Sequence, residues 1–200
     1  MKVWILIFVC MFSMPLLVAV LHFRMRKGQI LKIRQDYVKN ARYFGRSFSA
    51  LVEKALPEMK NGMIMLSRQE KVLETDGKQE FVQPEIEDLI IARNTIFCPQ
   101  QEDLHFQKEI YSEKDALFVK ENIRLRAVYS KKRLLFGNKI RLLRWADAEH
   151  AVAVYDECDL GERVSSGEQL VIGFENVFHS LYAPVIRLGQ RPEEPDRFME

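Results

Sequence analysis

Three histidines in the C-terminal half of the chain are the residues whose chemistry could make this protein an enzyme. His105, His150 and His179 are candidates for acid–base catalysis or metal binding, because imidazole titrates near neutral pH and is a common metal ligand. They fall at unrelated phases of the repeat described below, so the pattern does not bring them together. We therefore expect three surface histidines, and we predict neither a catalytic residue nor a metal site.

Cysteines and short motifs give no catalytic signature either. Cys10, Cys98 and Cys158 show no C-x2-C spacing, which disfavours a zinc site, and their odd number disfavours a disulfide framework. The chain has no G-x-G-x-x-G, no P-loop and no G-x-S-x-G motif. The expectation is a protein that is not an enzyme and has no cofactor. The net charge of +2 gives no reason to expect a nucleic-acid partner.

An 18-residue repeat dominates the sequence from Ile110 onwards. IYSEKDALFV, VYSKKRLLFG, ADAEHAVAVY and VSSGEQLVIG begin 18 residues apart, and LYAPVIRLG follows after 17. Glycines recur inside the units, and each would cost about 1 kcal/mol in the interior of a helix. Short alternating apolar runs between turns are typical of strands. The repeat therefore predicts β structure.

Each repeat divides into three hexads, and the first and third residues of each hexad are mostly apolar. Of the 24 such positions in four repeats, 18 are apolar and only Arg124 is charged. Alternate residues of a strand share a face, so these positions are expected to point inward. We expect Arg124 to mark a local slip of register and not a buried charge. The prediction is a mainly β fold, a three-sided β-helix with coils of about 18 residues stacked on one another.

The last coil is apolar almost to its end, and no predicted helix follows that could cover it. A β-helix exposes unpaired strand edges at its ends unless caps cover them. Leu181, Val185, Ile186 and Leu188 are therefore the candidate residues for self-association.

The N-terminal segment has the features of a membrane anchor. The stretch from Val3 to Leu21 carries no charge over 19 residues, and about 20 apolar residues span the hydrocarbon core. Basic residues follow it, with no acid before Asp36, which predicts a single pass with the C-terminal domain in the cytoplasm. A cleaved signal peptide is disfavoured by the length of the run and the lack of a cleavage site.

An amphipathic helix is predicted after the anchor, over residues 29–56. Ile30, Ile33, Tyr37, Ala41, Phe44, Phe48, Leu51 and Ala55 recur at steps of three and four, and Pro57 ends the pattern. Such a stripe can pack against the following domain or form a coiled-coil dimer, and the helix is also a candidate cap for the N-terminal end of the β-helix. The predicted organisation is an anchor (1–22), a basic juxtamembrane and amphipathic helix (23–57), a β/turn linker (58–87), the β-helix (88–189) and a flexible tail (190–200).

The segments LRAVYSKKRLLFG, LRWADAEHAVAVY, ERVSSGEQLVIG and HSLYAPVIRLG resemble the repeats of the bactofilins, polymer-forming cytoskeletal proteins of bacteria. The resemblance covers roughly residues 88–189. It implies a right-handed β-helix, polymerisation without nucleotide, and a role as a scaffold at the inner membrane. The partners it implies are other copies of the chain and envelope or cell-wall proteins. Bulky and charged coils and the long N-terminal extension depart from the family pattern.

Two alternative functions remain open at this point. Left-handed β-helix acyltransferases also use 18-residue coils of hexads, so an enzyme of that kind is one alternative. A monomeric, membrane-tethered interaction module is the other. A basic patch of Lys131, Lys132, Arg133, Lys139, Arg141 and Arg144 lies on adjacent predicted coils, and a solvated face is its simplest interpretation.

Overall fold

The computed structural model describes residues 40–75 and 80–192, together with ten helical positions between Trp4 and Val20. Residues 1–35 and 36–200 form separate compact units. The predicted anchor lies largely outside the described residues, and the same holds for the first half of the predicted amphipathic helix and for residues 193–200. Among the residues that are described, no helix has the length and hydropathy needed to span a membrane.

The second unit is a β-solenoid built from two largely parallel sheets. Sheet 1 has nine strands in the order β1-β2-β4-β5-β7-β9-β11-β13, with β3 paired to β5, and sheet 2 has the order β14-β12-β10-β8-β6. The strands are β1 (Met63–Met65), β2 (Gln69–Thr75), β3 (Glu85–Ile86), β4 (Leu89–Ala92), β5 (His105–Ser112), β6 (Ala116–Phe118), β7 (Arg124–Ser130), β8 (Leu134–Phe136), β9 (Arg141–Ala148), β10 (Ala151–Val154), β11 (Arg163–Ser166), β12 (Gln169–Ile172), β13 (Leu181–Tyr182) and β14 (Val185–Leu188).

The register of these strands confirms the 18-residue repeat. In sheet 1, Ile110, Val128, Ala146, Val164 and Leu181 are successive register partners. In sheet 2 one such line runs through Phe118, Phe136, Val154, Ile172 and Leu188. Except for Leu181 and Leu188 in the last coil, the side chains of both lines are fully or almost fully buried in one continuous core. Stacked coils therefore bury an apolar interior that a single coil could not bury alone.

The parallel ladder begins before residue 88. β2 pairs in parallel with β4, placing Leu73 beside Ile90, and Ile90 in turn pairs with Ile110. From Leu73 to Leu181 the chain completes six coils. The segment predicted to be a linker, residues 58–87, thus contributes the first rung of sheet 1.

The corner after each sheet 2 strand is turned by a residue in the left-handed region. Asn122, Lys139, Glu157 and Glu175 have φ between 55° and 59°, and Asp103 has φ 57° at the corresponding place one coil earlier. Backbone hydrogen bonds to the next coil accompany these turns: the amide of Glu157 donates to Phe174 O at 3.1 Å. The coils therefore turn by a repeated backbone conformation that stacking maintains.

Arg124 lies outside the core, as the predicted slip of register requires. Ile123 and Leu125 are buried in its place, while Asn122 and Arg124 are exposed. Arg124 pairs with Arg141 at a step of 17, and an irregularity between Leu125 and Ala127 restores the step of 18. The bulge allows the apolar side chains to face inward on both sides of it.

Among the described residues, a strand and an aromatic side chain close the N-terminal end of the solenoid. β1 pairs antiparallel with β2 and forms the last strand of sheet 1 at that end. The ring of Phe81 packs edge-on against Phe106, with centroids 5.5 Å apart, and only 8% of Phe81 is exposed. Gln101 holds the Phe81 backbone through two hydrogen bonds of 2.7 and 2.8 Å. A reversed strand and an aromatic plug thus close this end.

Helix α1 (Tyr43–Ala55) lies against the outer face of sheet 1. The described part of the predicted helix therefore covers a sheet face and does not cap the N-terminal end, while residues 29–39 lie outside the described residues. Its Val52 and Ala55 join a second apolar cluster that includes Tyr111, Tyr129 and Trp145. These sheet residues point outward from the solenoid, and α1 buries them. A short 3-10 helix (Leu56–Glu58) ends the segment.

The buried face of α1 also differs from the predicted apolar stripe. Gly45, Ser49, Val52 and Ala55 are buried, while Phe44 and Leu51 are 40% and 50% exposed. Small residues decide this face because the helix approaches the sheet closely. A Cβ atom at Gly45 would lie 2.4 Å from Cβ of Asp147.

A buried ion pair attaches the beginning of α1 to β9. The guanidinium of Arg42 donates to both carboxylate oxygens of Asp147, at 2.8 and 3.0 Å, and to Ala148 O at 2.8 Å. Side chains of this pair are 5% and 1% exposed. Arg42 also pairs with Glu149 at 3.0 Å. Burial acts to raise the pKa of Glu149, but hydrogen bonding to Arg42 and its charge outweigh burial, and the pKa is lowered. The pair fixes where the helix starts.

Candidate self-association surface at the C-terminal coil

The four residues predicted to mediate self-association lie together in the last coil. Leu181 is in β13, and Val185, Ile186 and Leu188 are in β14. Leu181, Ile186 and Leu188 are register partners of the buried Val164, Leu170 and Ile172, so they continue the interior of the solenoid. Val185 is the register partner of Gln169, next to Ile186, and is not one of the residues that continue the interior.

The interior becomes exposed at this last coil. Leu170 and Ile172 are 0% and 1% exposed, whereas their partners Ile186 and Leu188 are 40% and 58% exposed. Leu181 remains half-buried against the core. The change occurs in a single step of the ladder, so these apolar side chains are exposed because no further coil covers them within the described residues.

Four further apolar residues, which the sequence analysis did not name, border this end. Phe174, Val177, Phe178 and Tyr182 are between 41% and 66% exposed. Phe178 occupies an inward position of its hexad, so the repeat pattern contained the signal. The other three lie at positions expected to face solvent. We define these four together with Leu181, Val185, Ile186 and Leu188 as the terminal surface.

Backbone groups contribute to the terminal surface as well. β13 and β14 are the last strands of sheets 1 and 2, and neither has a second neighbour among the described strands. Strands of this kind present a row of N–H and C=O groups that a further strand could pair with. The surface therefore combines two open sheet edges with an apolar centre.

The chain leaving β14 is fixed next to this surface. Gln190 donates its amide to Ile172 O at 3.2 Å, and the side chain of Arg191 pairs with Asp156 at 2.8 Å. Asp156 also accepts a hydrogen bond of 2.8 Å from the amide of Phe174. These contacts hold the last strand in register with the coils below it. The strand edge at this end therefore has a fixed position.

The three histidines lie apart on the solenoid surface. His105 is half-buried in β5, His179 is exposed before β13, and His150 contacts Glu168 at 2.6 Å in the turn after β9. Within residues 40–75 and 80–192, no group of three or more His, Cys, Asp or Glu side chains is arranged to hold a metal ion. Cys98 and Cys158 are buried and neither forms a disulfide, and burial raises the pKa of Cys158 to about 11.

Several members of the predicted basic patch are neutralised by acids. Lys131 pairs with Glu53 of α1 at 3.0 Å. Arg133 pairs with Asp115 at 2.6 Å, and Lys139 pairs with Glu121 at 2.8 Å. The patch is therefore less cationic than its sequence indicates, and these three residues support the interpretation of a solvated face.

Comparison with known proteins finds no family model, no curated protein and no solved structure that matches this chain.

Proposed function

We propose that this protein is a structural scaffold whose solenoid associates with a second copy through the terminal surface. The observation that supports this most directly is the exposure of the interior at the last coil, where Ile186 and Leu188 continue a fully buried column. Apolar side chains and two unpaired sheet edges at one place are a combination that monomeric β proteins normally cover.

The two ends of the solenoid are different, and this favours a pair over a filament. A matching partner for the terminal surface needs two open sheet edges around an apolar centre. The N-terminal end is closed by β1 and Phe81. The same terminal surface on a second copy has the required features. Two such surfaces related by a twofold axis would pair β13 and β14 of one copy with those of the other in antiparallel fashion.

The finer architecture belongs to this proposal. We infer a three-sided coil, because each middle coil contributes two segments to sheet 1, separated by the bulge, and one segment to sheet 2. The right-handed winding and the bactofilin-like character rest on the resemblance of the repeats. A full-length structure determined by crystallography or electron cryomicroscopy tests both, and a left-handed coil would contradict them.

Attachment to the inner membrane is proposed from the N-terminal sequence. The uncharged run from Val3 to Leu21 and the basic residues after it support a single-pass anchor with the solenoid in the cytoplasm. There the scaffold would present its faces to envelope or cell-wall proteins. A reporter enzyme that works only in the cytoplasm should be active when it is fused to the C-terminus. A reporter that works only outside the cytoplasm should be inactive at the same position, and its activity would contradict this orientation.

Association is tested by sedimentation equilibrium of the full-length chain in a density-matched detergent. We expect a dimer for the wild type and a monomer for Ile186→Glu, because a carboxylate at the centre of the interface would be buried without a partner. Leu51→Glu is the matched control, since Leu51 is 50% exposed on α1, away from the end. The control should remain dimeric.

A wild-type monomer at every concentration would contradict the proposal, as would an Ile186→Glu variant as dimeric as the wild type. Circular dichroism of each variant shows whether the solenoid is retained. A dimer that persists in Ile186→Glu would place the contact elsewhere in the chain.

A further inference from the structure

Ion pairs on the solenoid surface follow a regular pattern from coil to coil. Four of them join a basic side chain to an acidic one 17 or 18 residues away, which is one coil. They are Lys71–Asp88, Arg126–Glu109, Arg133–Asp115 and Lys139–Glu121, with contacts of 2.6 to 3.1 Å. Opposite charges thus face each other on adjacent rungs, as cross-strand pairing favours.

Arg124 and Arg141 break this pattern. They are direct register partners in β7 and β9, and both are exposed. Side chains on adjacent strands are about 4.8 Å apart along the ladder, and like charges placed directly opposite are destabilising. Within residues 40–75 and 80–192, no other register pair joins two side chains of the same charge, and neither guanidinium has a carboxylate within 4.0 Å.

The charged groups nearest to this pair have other contacts. Asp159 follows Arg141 on the next rung, but its Oδ1 accepts a hydrogen bond of 3.2 Å from the amide of Gly161. Glu85 lies on the other side, beyond His105, and accepts a hydrogen bond of 3.3 Å from Gln107. Asp159 therefore contributes a negative charge one rung from Arg141, but neither acid forms an ion pair with the two arginines among the described residues.

The two arginines line a groove of about 560 Å³. Asn122, His105 and Lys139 lie beside them in the groove, and Lys139 is already paired with Glu121. Acids lie at both ends along the solenoid axis, with Glu85 and Asp103 at one end and Glu157 at the other. An extended polyanion would be repelled at these ends, whereas a compact anion would contact the arginines at the centre, with His105, Asn122 and Lys139 beside them.

We propose that Arg124 and Arg141 bind a single phosphoryl group. Planar guanidinium groups bind phosphate oxygens in a bidentate manner, and two of them one rung apart can contact the same tetrahedral anion. A doubly charged anion neutralises both cations and removes their mutual repulsion. The group could belong to a soluble phosphate ester or to a lipid headgroup, which present the same oxygens. The site is independent of the terminal surface.

The test is urea unfolding of the full-length chain in detergent, with and without inorganic phosphate at matched ionic strength. Phosphate should raise the urea midpoint of the wild type and leave those of Arg124→Gln and Arg141→Gln unchanged. Arg126→Gln is the control, since Arg126 lies in the same strand but pairs with Glu109 at 3.1 Å. Its phosphate response should equal that of the wild type.

A second measurement separates binding from structure. In phosphate-free buffer of low salt, Arg141→Gln should be at least as stable as the wild type, because the substitution relieves a repulsion. Phosphatidic acid in mixed micelles, compared with phosphatidylcholine alone, identifies the source: a larger rise than with inorganic phosphate indicates a lipid headgroup, and an equal or smaller rise indicates a soluble ester. No response to either ligand, or an equal response in Arg141→Gln, would overturn the site.

Discussion

At the scale of single residues, the corner of each coil carries the clearest local strain. Lys139, Glu157 and Glu175 adopt positive φ, which side chains other than Gly, Asn and Asp rarely do. Asn122 holds the same position in another coil without this penalty. Glu157→Asn should therefore stabilise the protein by about 1 kcal/mol. Urea denaturation followed by circular dichroism measures the change.

A control for that substitution lies nearby in the sequence. Glu162 is exposed and does not have positive φ, so Glu162→Asn removes the same charge without relieving the backbone. Its effect should be close to zero. Equal stabilisation by both variants would assign the effect to charge and contradict the backbone explanation.

The sequence predicted the inward residues well because charge and hydropathy alternate along each hexad. Val128, Phe136 and Val154 are all fully buried at the positions expected. It did not predict which residues turn the corners. Lys139 and Glu157 are unusual in a left-handed conformation, and the contacts that hold them there come from neighbouring coils, which no local pattern contains.

At the scale of elements, α1 shows how a small residue determines a packing face. Gly45→Ala would ordinarily stabilise a helix interior by about 1 kcal/mol. Here we expect the opposite sign, because the added methyl group would overlap Asp147, which Arg42 holds in place. Ser47→Ala, at a half-buried position of the same helix, is the control and should be neutral or stabilising. Thermal unfolding of the two variants measures the signs. Stabilisation by Gly45→Ala would show that α1 does not lie on β9 as described.

The Arg42–Asp147 pair should be the strongest attachment of α1. Asp147→Ala leaves a buried guanidinium without its bidentate partner, and breaking such a pair costs about 3–5 kcal/mol. Glu121→Ala removes the partner of Lys139 from an exposed pair and should change the urea midpoint little. Equal effects of the two substitutions would contradict the role given to the buried pair.

The sequence predicted that α1 is amphipathic, but the predicted apolar stripe lies on a different side of the helix from the face that is buried. A search for large apolar residues selects Phe44 and Leu51, which are exposed. The actual face contains Gly45 and Ser49, because close approach to the sheet excludes larger side chains. Tyr111 and Tyr129, which α1 covers, are second residues of their hexads and face outward, and nothing in the repeat indicates that a helix lies over them.

At the scale of the whole molecule, the two ends of the solenoid differ: among the described residues one end is closed and the other is open. The open end was predictable, because Leu181, Ile186 and Leu188 continue the apolar columns in the last coil of the repeat. The closed end was not predictable from the repeat, since β1 reverses direction and Phe81 lies outside the periodic positions. This asymmetry is what leads us to expect pairs of molecules and not long polymers.

Hydrogen exchange of the full-length chain at increasing protein concentration tests this pairing most directly. Among the described residues, the edge strands β13 and β14 have backbone groups without partners in a single copy, and these groups would gain partners in a pair. We expect protection of residues 181–188 to rise with concentration, while the already buried β8 stays unchanged. Protection of residues 181–188 that does not depend on concentration, in a sample that spans the association range, would contradict association through the terminal surface.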